Sequence, residues 1–242
     1  MSESVHSTST IADAVVVGGV AYGERSRVVR ALTRDHGMIP LWVPNATKDK
    51  GLWHPMAHVE LAGLRQGKGN GLWTVKEWQR GTPQLEFRRC PQRSSVGFFI
   101  AEVLVACLEE AAQAPEVFNL SMKAVEWLES EPATSWIHVK FLSHFVWALG
   151  MMPESPHHDK LWLNLASGEF VPEEHASKTD LSAQVVHDLR DILGMDFGQM
   201  ERLSWSRSRR KTLVLGAFDF VQAQLGKSRE LKSYDVLEAV FA

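Results

Sequence analysis

From Ala14 to Lys48 the chain reads as strand, turn, strand, turn, strand, and this run constrains the fold more than any other. Ala12 to Val20, A-D-A-V-V-V-G-G-V, is β-branched and bounded by glycine, which favours a buried strand. Tyr22-Gly23-Glu24-Arg25 follows as a turn. Ser26 to Thr33 would tolerate helix on propensity alone. Asp35-His36-Gly37 behind it supplies a hairpin turn in which glycine takes positive φ, so strand is the better reading. Ile39, Leu41 and Val43 then alternate with Pro40, Trp42 and Pro44. Proline cannot donate to a ladder, which predicts an edge position for this strand.

Two further strands are expected at Ala57 to Leu64 and Leu72 to Gln79, joined through Gly67-Lys68-Gly69-Asn70-Gly71. Five short strands match the count of an oligonucleotide-binding (OB) barrel, and an SH3-like barrel has the same count. Beyond Pro91 the period becomes helical. Phe98, Ala101, Glu102, Val105 and Leu108 mark an apolar helix face from about Ser94 to Ala112. Helices are also predicted over Glu116–Leu128 behind Pro115, Thr134–Leu149 before Gly150, Leu181–Leu193, Ser206–Leu225 and Ser233–Phe241, the last with Ser233 as N-cap. Leu161 to Val171, with Ser167-Gly168 at its centre, reads as a small hairpin. The fold class is therefore α+β: a tail over 1–11, an N-terminal OB-fold β-barrel over 12–89, and a mainly helical C-terminal domain over 90–242 with a hairpin insertion at about 161–171.

The net charge of −3 is unevenly spread. Residues 1–89 hold 12 Lys and Arg against 8 Asp and Glu (+4), and residues 90–242 hold 14 against 21 (−7). A +4 module attracts polyanions moderately. The polar start of the chain is not a secretory signal, and the longest apolar run, Val96 to Leu108, is too short to span a membrane. Cys90 and Cys107 do not form a disulfide framework, so a reducing, cytoplasmic location is expected, with Cys107 as a small core residue.

No catalytic constellation stands out. The histidines are scattered: His54 and His58 are four apart but straddle Pro55 ahead of a strand, H-E-x-x-H spacing does not occur, and neither a nucleophile elbow nor a Walker sequence is present. Glu109-Glu110 and Glu173-Glu174 read as solvated pairs. The glycine-rich loop at 67–71 joins two strands, whereas a phosphate cradle leads from strand to helix, so a flexible hairpin is the better reading. These features predict a binding protein without catalytic residues and without a cofactor.

The segment A-V-V-V-G-G-V-A-Y-G-E-R-S-R-V-V-R-A-L-T-R-D-H-G resembles the N-terminal barrel of the bacterial recombination and repair mediator family RecO. That family runs strand, (Y/W)-x-E-x-(S/D), strand, then T-x-x-x-G; Tyr22, Glu24, Ser26, Thr33 and Gly37 occupy those places. Lys140 to Gly150, K-F-L-S-H-F-V-W-A-L-G, is similar to the family helix that ends in L-G. Gly226 to Phe241 is similar to the closing L-K-S segment and terminal helix. The resemblance implies binding of single- and double-stranded DNA, annealing of complementary strands and help in loading recombinase. It also implies RecR as partner and recognition of the acidic C-terminal tail of single-strand-binding protein.

Two departures accompany the resemblance. Many relatives carry two cysteine pairs after the L-G helix; Met151 to Pro172 has none, although it holds His157, His158 and Asp159. Adjacent histidines do not easily reach one metal, so no metal site is expected there. The family's third strand and following loop are usually basic, and Met38, Pro40, Pro44 and Thr47 stand in such places. The remaining candidates for phosphate contact are Arg25, Arg27, Arg30, Arg34, Lys48, Lys50, Arg65, Lys68 and Lys76. Trp42 and Trp53 are the candidate stacking rings; Trp73 and Trp78 would face opposite sides of one regular strand. Arg207, Arg209, Arg210 and Lys211 open a helix, where cations oppose the dipole. A partner anion and a solvated charge run explain them equally well. A protein-interaction adaptor that has lost DNA contact, and an RNA-binding OB protein, are the rival readings.

Overall fold

The computed structural model describes residues 11–67, 71–83, 85–132 and 134–241, without the side chains of 48–50, 85 and 88. The expected tail, apart from Ile11, and Lys68 lie outside the described residues. Three long strands form the antiparallel centre of the first sheet: β1 (Ala12–Tyr22), β2 (Ser26–Thr33) and β3 (Gly37–Val43). Gly23 and Gly37 take positive φ in the two turns, as such tight connections require. A 3-10 segment, Ala46–Leu52, leads to β4 (His58–Ala62) and β5 (Arg65–Gln66).

The last predicted strand of this half is broken in two. β6 (Trp73–Thr74) pairs in parallel with Leu41 and Trp42, whereas β7 (Glu77–Arg80) pairs with β4. The sheet order is β5-β6-β3-β2-β1-β4-β7, so one segment, 73–80, serves both sides of a curled sheet and draws it into a barrel. Val75, between the halves, is buried in the barrel core. β3 is consequently not an edge strand. Its prolines are accommodated because β6 pairs only with Leu41 and Trp42, leaving Pro40 and Pro44 outside that ladder.

The break also corrects the expectation for Trp73 and Trp78. Without a regular strand between them, both rings pack against the same barrel core, Trp78 edge-on to Trp53 with centroids 5.7 Å apart. That core is built from alternating residues Ala14, Val16, Val29, Ala31, Ile39, Leu41 and Val43. The intervening residues Val15, Val17, Leu32 and Met38 join a second core formed with the helices. Half of the outer sheet face is thereby covered.

The helical part comprises α1 (Leu85–Arg89), α2 (Pro91–Cys107), α3 (Pro115–Ser130), α4 (Thr134–Ala148), α5 (Ala183–Gly194), α6 (Phe197–Glu201), α7 (Arg207–Gln224) and α8 (Lys232–Val240). Pro115 occupies a first helical position, and Ser206 caps α7 by accepting from Arg209 N at 3.1 Å. Ser233 is not the cap of α8. Glu102 of α2 takes that role from outside, accepting from Lys232 N (3.1 Å), Ser233 N (2.8 Å) and Ser233 Oγ.

The insertion is a three-stranded sheet, β8 (Leu161–Leu163), β9 (Phe170–Pro172) and β10 (Leu181–Ser182), ordered β10-β8-β9. Asp180, nearly buried, gathers it by accepting from Leu165 N at 3.2 Å, Ser177 N at 2.8 Å and Asn164 Nδ2 at 3.2 Å. A carboxylate thus ties the insertion together. Gly37 joins barrel to helices: a Cβ there would meet Ala112 O at 2.1 Å, while Ala111 N donates to Met38 O at 2.9 Å and Gln113 Nε2 to Asp35 O at 2.6 Å. No helix among the described residues is long and apolar enough to cross a membrane.

Candidate nucleic-acid interface

Strand alternation separates the arginines of β2. Val29 and Ala31 point into the barrel core and Leu32 into the helical core. Arg30 therefore leaves the outer face and Arg27 the inner one. Arg27 is half-buried near the barrel's end, where Nη2 donates to Gly19 O at 3.4 Å and Nε has no partner. Arg30 is exposed, and among the described residues its side chain makes no ion pair or hydrogen bond.

A bulge in β1 decides what surrounds Arg30. Val16 pairs with Ala31 but Gly18 with Arg30, so Val17 is an extra residue and the side-chain parity switches. Val15 and Val17 face the helices, whereas Gly18, Val20 and Tyr22 share the outer face with Arg30. The rows across this face are Val20, Val28 and Trp42, then Gly18, Arg30 and Pro40. Trp42 and Arg30 are thus diagonal neighbours on the uncovered half of the sheet. Tyr22 and Val20 are 64% and 67% exposed beside them.

α2 faces these rows across a groove of about 700 Å³, presenting Phe98, Ala101 and Val105. The sequence pattern assigns these residues to the core, yet Phe98 is 52% exposed; the deeply buried side is Phe99, Ile100, Val103 and Leu104. α2 is apolar around most of its circumference, so periodicity could not distinguish groove from core. Of the two carboxylates in the groove, Glu102 is engaged by α8 and Glu110 is exposed.

The other candidates are dispersed. Trp53 is 3% exposed in the barrel core, which removes it as a stacking ring. Arg25 stands exposed at the tip of the β1–β2 turn. Arg34, in the next turn, lies 5.0 Å over the Phe118 ring and fastens the barrel to α3. Arg65 is exposed on β5, and Lys76 pairs loosely with Glu77 at 3.7 Å. Lys48 and Lys50 lie in the 3-10 segment, with side chains outside the described set.

The basic start of α7 is divided as well. Arg209 binds Asp188 and stacks 4.4 Å over Trp205, and Lys211 pairs with Glu238 at 2.5 Å. These two cations serve the fold, which corrects their assignment to a partner. Arg207 donates to Phe241 O at 2.6 Å, and Arg210 lies 5.0 Å over Trp136. Among the described residues no three His, Cys, Asp or Glu side chains gather in a way that could hold a metal ion.

Two family models match: one described as recombination protein O N terminal over residues 8–80, the other as recombination protein O C terminal over residues 88–235. The chain belongs to the RecO family. Its similarity to curated RecO proteins extends end to end at low identity. The DNA repair protein RecO of Azobacteroides pseudotrichonymphae genomovar. CFP2 is 24% identical over 239 residues, covering 94% of this chain and 97% of the relative. That of Phocaeicola vulgatus is 24% identical over 235 residues, with 94% and 97% covered. That of Salinibacter ruber is 24% identical over 248 residues, with 94% and 92% covered. RecO membership supports a role in DNA repair and recombination, and the barrel followed by helices is the RecO architecture.

Proposed function

We propose that this RecO-family chain is a non-enzymatic DNA-binding mediator that holds single strands on the open outer face of β1–β3. The observation that carries the reading is the pairing of an unneutralised cation, Arg30, with a half-buried indole, Trp42, on one uncovered sheet face. A guanidinium neutralises phosphate and an aromatic face accepts a base, the two components of sequence-tolerant single-strand binding. Tyr22 extends the same face and Arg25 stands at its end. Duplex DNA engages the same cations through phosphate alone. Annealing follows if two complementary strands are held with bases exposed, and no bond is made or broken. RecR, the tail of single-strand-binding protein and a cytoplasmic site of action belong to this reading on the family resemblance.

Annealing of two complementary oligonucleotides, followed by fluorescence quenching, tests it. The chain should accelerate annealing, and Arg30→Glu with Trp42→Ala should abolish the acceleration. No acceleration by the parent chain would contradict the reading. The adaptor alternative draws support from the dispersal of the barrel cations. It predicts capture of RecR with no salt-dependent oligonucleotide binding.

A further inference from the structure

The first turns of two helices meet at a small pocket in the helical domain. Ser135 opens α4, Arg207 and Arg210 open α7, and His138, Tyr234 and Phe241 complete the wall. The pocket holds about 80 Å³. Helix N-termini offer unpaired N–H groups and a positive dipole end, the ordinary setting for an anion.

Among the described residues, three observations show polar groups of the pocket left unsatisfied. His138 is 5% exposed, and its Nδ1 is buried without a hydrogen-bond partner. Arg210 has no carboxylate partner among the described residues; it stacks on Trp136, and its Nε is also unpaired. Arg207, the second guanidinium, faces the same space, donates only to the Phe241 carbonyl and is near enough to disfavour the charge on Arg210. Among the described residues the acid in the wall, Glu238, is taken by Lys211. A guanidinium and a neutral imidazole that each keep a buried, unpaired nitrogen are costly unless a ligand joins them.

We infer that this pocket binds a phosphate monoester between Arg207 and Arg210, with His138 and Tyr234 as hydrogen-bonding walls. The volume excludes a nucleotide and admits one terminal anionic group. A phosphodiester, which continues on both sides, needs more room than this small recess gives. A phosphate monoester carries about −1.5 to −2 near neutral pH, matching two guanidiniums, whereas a carboxylate would leave one of them uncompensated. Either a phosphorylated DNA strand end or free phosphate supplies this chemistry.

The inference is independent of the barrel interface, and one experiment separates them. Affinity for a hydroxyl-ended oligonucleotide reads the barrel; the ratio to the same oligonucleotide phosphorylated at either terminus reads the pocket. Inorganic phosphate, titrated calorimetrically, is the second arm. A phosphorylated end should bind roughly tenfold tighter, as expected for charge-assisted hydrogen bonds. Arg207→Gln, at a solvent-facing position, should bring the ratio to one without changing the hydroxyl-ended affinity; Arg210→Gln should act alike if it folds. Binding of inorganic phosphate that is lost in Arg207→Gln, without end preference, supports the site with free phosphate as its source. A ratio of one together with no phosphate binding overturns the inference. So does an acidic peptide that binds through its free carboxylate, sensitive to Arg207→Gln, where phosphate does not.

Discussion

Arg209 and Asp188 hold each other at two points, with Nε donating to Oδ2 at 2.8 Å and Nη2 to Oδ1 at 2.6 Å. Asp188 is almost completely buried and also accepts from Gln184 at 2.8 Å, so its charge depends on this partner. Arg209→Gln should destabilise the chain by about 2–3 kcal/mol, between an exposed and a fully buried broken pair, because one partner retains some solvent. The midpoint of urea unfolding measures it. Oligonucleotide affinity should not change, since Arg209 is committed to the fold.

Gly37 and Gly23 have the same left-handed backbone, φ near +63° and +66°, in different surroundings. An added Cβ at Gly23 meets nothing within 4 Å, whereas at Gly37 it meets Ala112 O at 2.1 Å. Gly23→Ala should cost about 1 kcal/mol from backbone strain alone. Gly37→Ala should cost more than about 2 kcal/mol, because strain is joined by separation of the barrel from the α2–α3 loop. Thermal unfolding of the two variants side by side makes the comparison.

His138 gives the fold a pH dependence. Burial first, and Arg210 second, push its pKa from 6.5 down to about 3. The unfolded chain therefore binds a proton that the native chain refuses, and stability falls as pH drops below 6.5 and continues to fall toward 3. From pH 6.5 to about pH 5 the parent should lose roughly 1.5 kcal/mol more than His138→Phe, which keeps a ring among Phe99 and Phe241. Denaturant titrations in phosphate-free buffer at the two pH values give the difference. An equal loss in both proteins would show that His138 titrates normally.

Asp180 should matter to the insertion and not to the barrel. Asp180→Ala leaves the buried amide of Leu165 and the amide of Ser177 without this acceptor, a loss of about 2 kcal/mol. Amide hydrogen exchange should quicken over residues 161–182 while the strands of the barrel keep their protection.

The long strands β1 to β3, the helices that start at Pro115 and Arg207, and the hairpin at Gly168 were legible because local chemistry determines them: branched side chains, N1 proline, Ser206 and positive-φ glycine. Features set by distant contacts were not. The break at Val75 follows from barrel closure, and the cap of α8 comes from Glu102 far away in sequence. Of the candidate site, Trp42 was legible by alternation, and Arg30 only as one of nine candidate cations. Trp53 was lost to the core, and Tyr22 joins the face only through the Val17 bulge. Phe98 could not be recognised on a helix apolar on most sides. Arg209 and Lys211 resemble free cations in sequence because Asp188 and Glu238 are brought to them only by folding.

The most direct test of the account is the salt dependence of single-stranded oligonucleotide affinity in three proteins: the parent, Arg30→Glu and Arg27→Glu. The parent's affinity should fall with salt. Arg30→Glu should bind more weakly and flatten the slope by about 0.7, one phosphate contact on a single strand, whereas Arg27→Glu should keep the parent slope. Equal effects of both substitutions, or a larger effect of Arg27→Glu, would contradict a binding surface on the outer face of β1–β3.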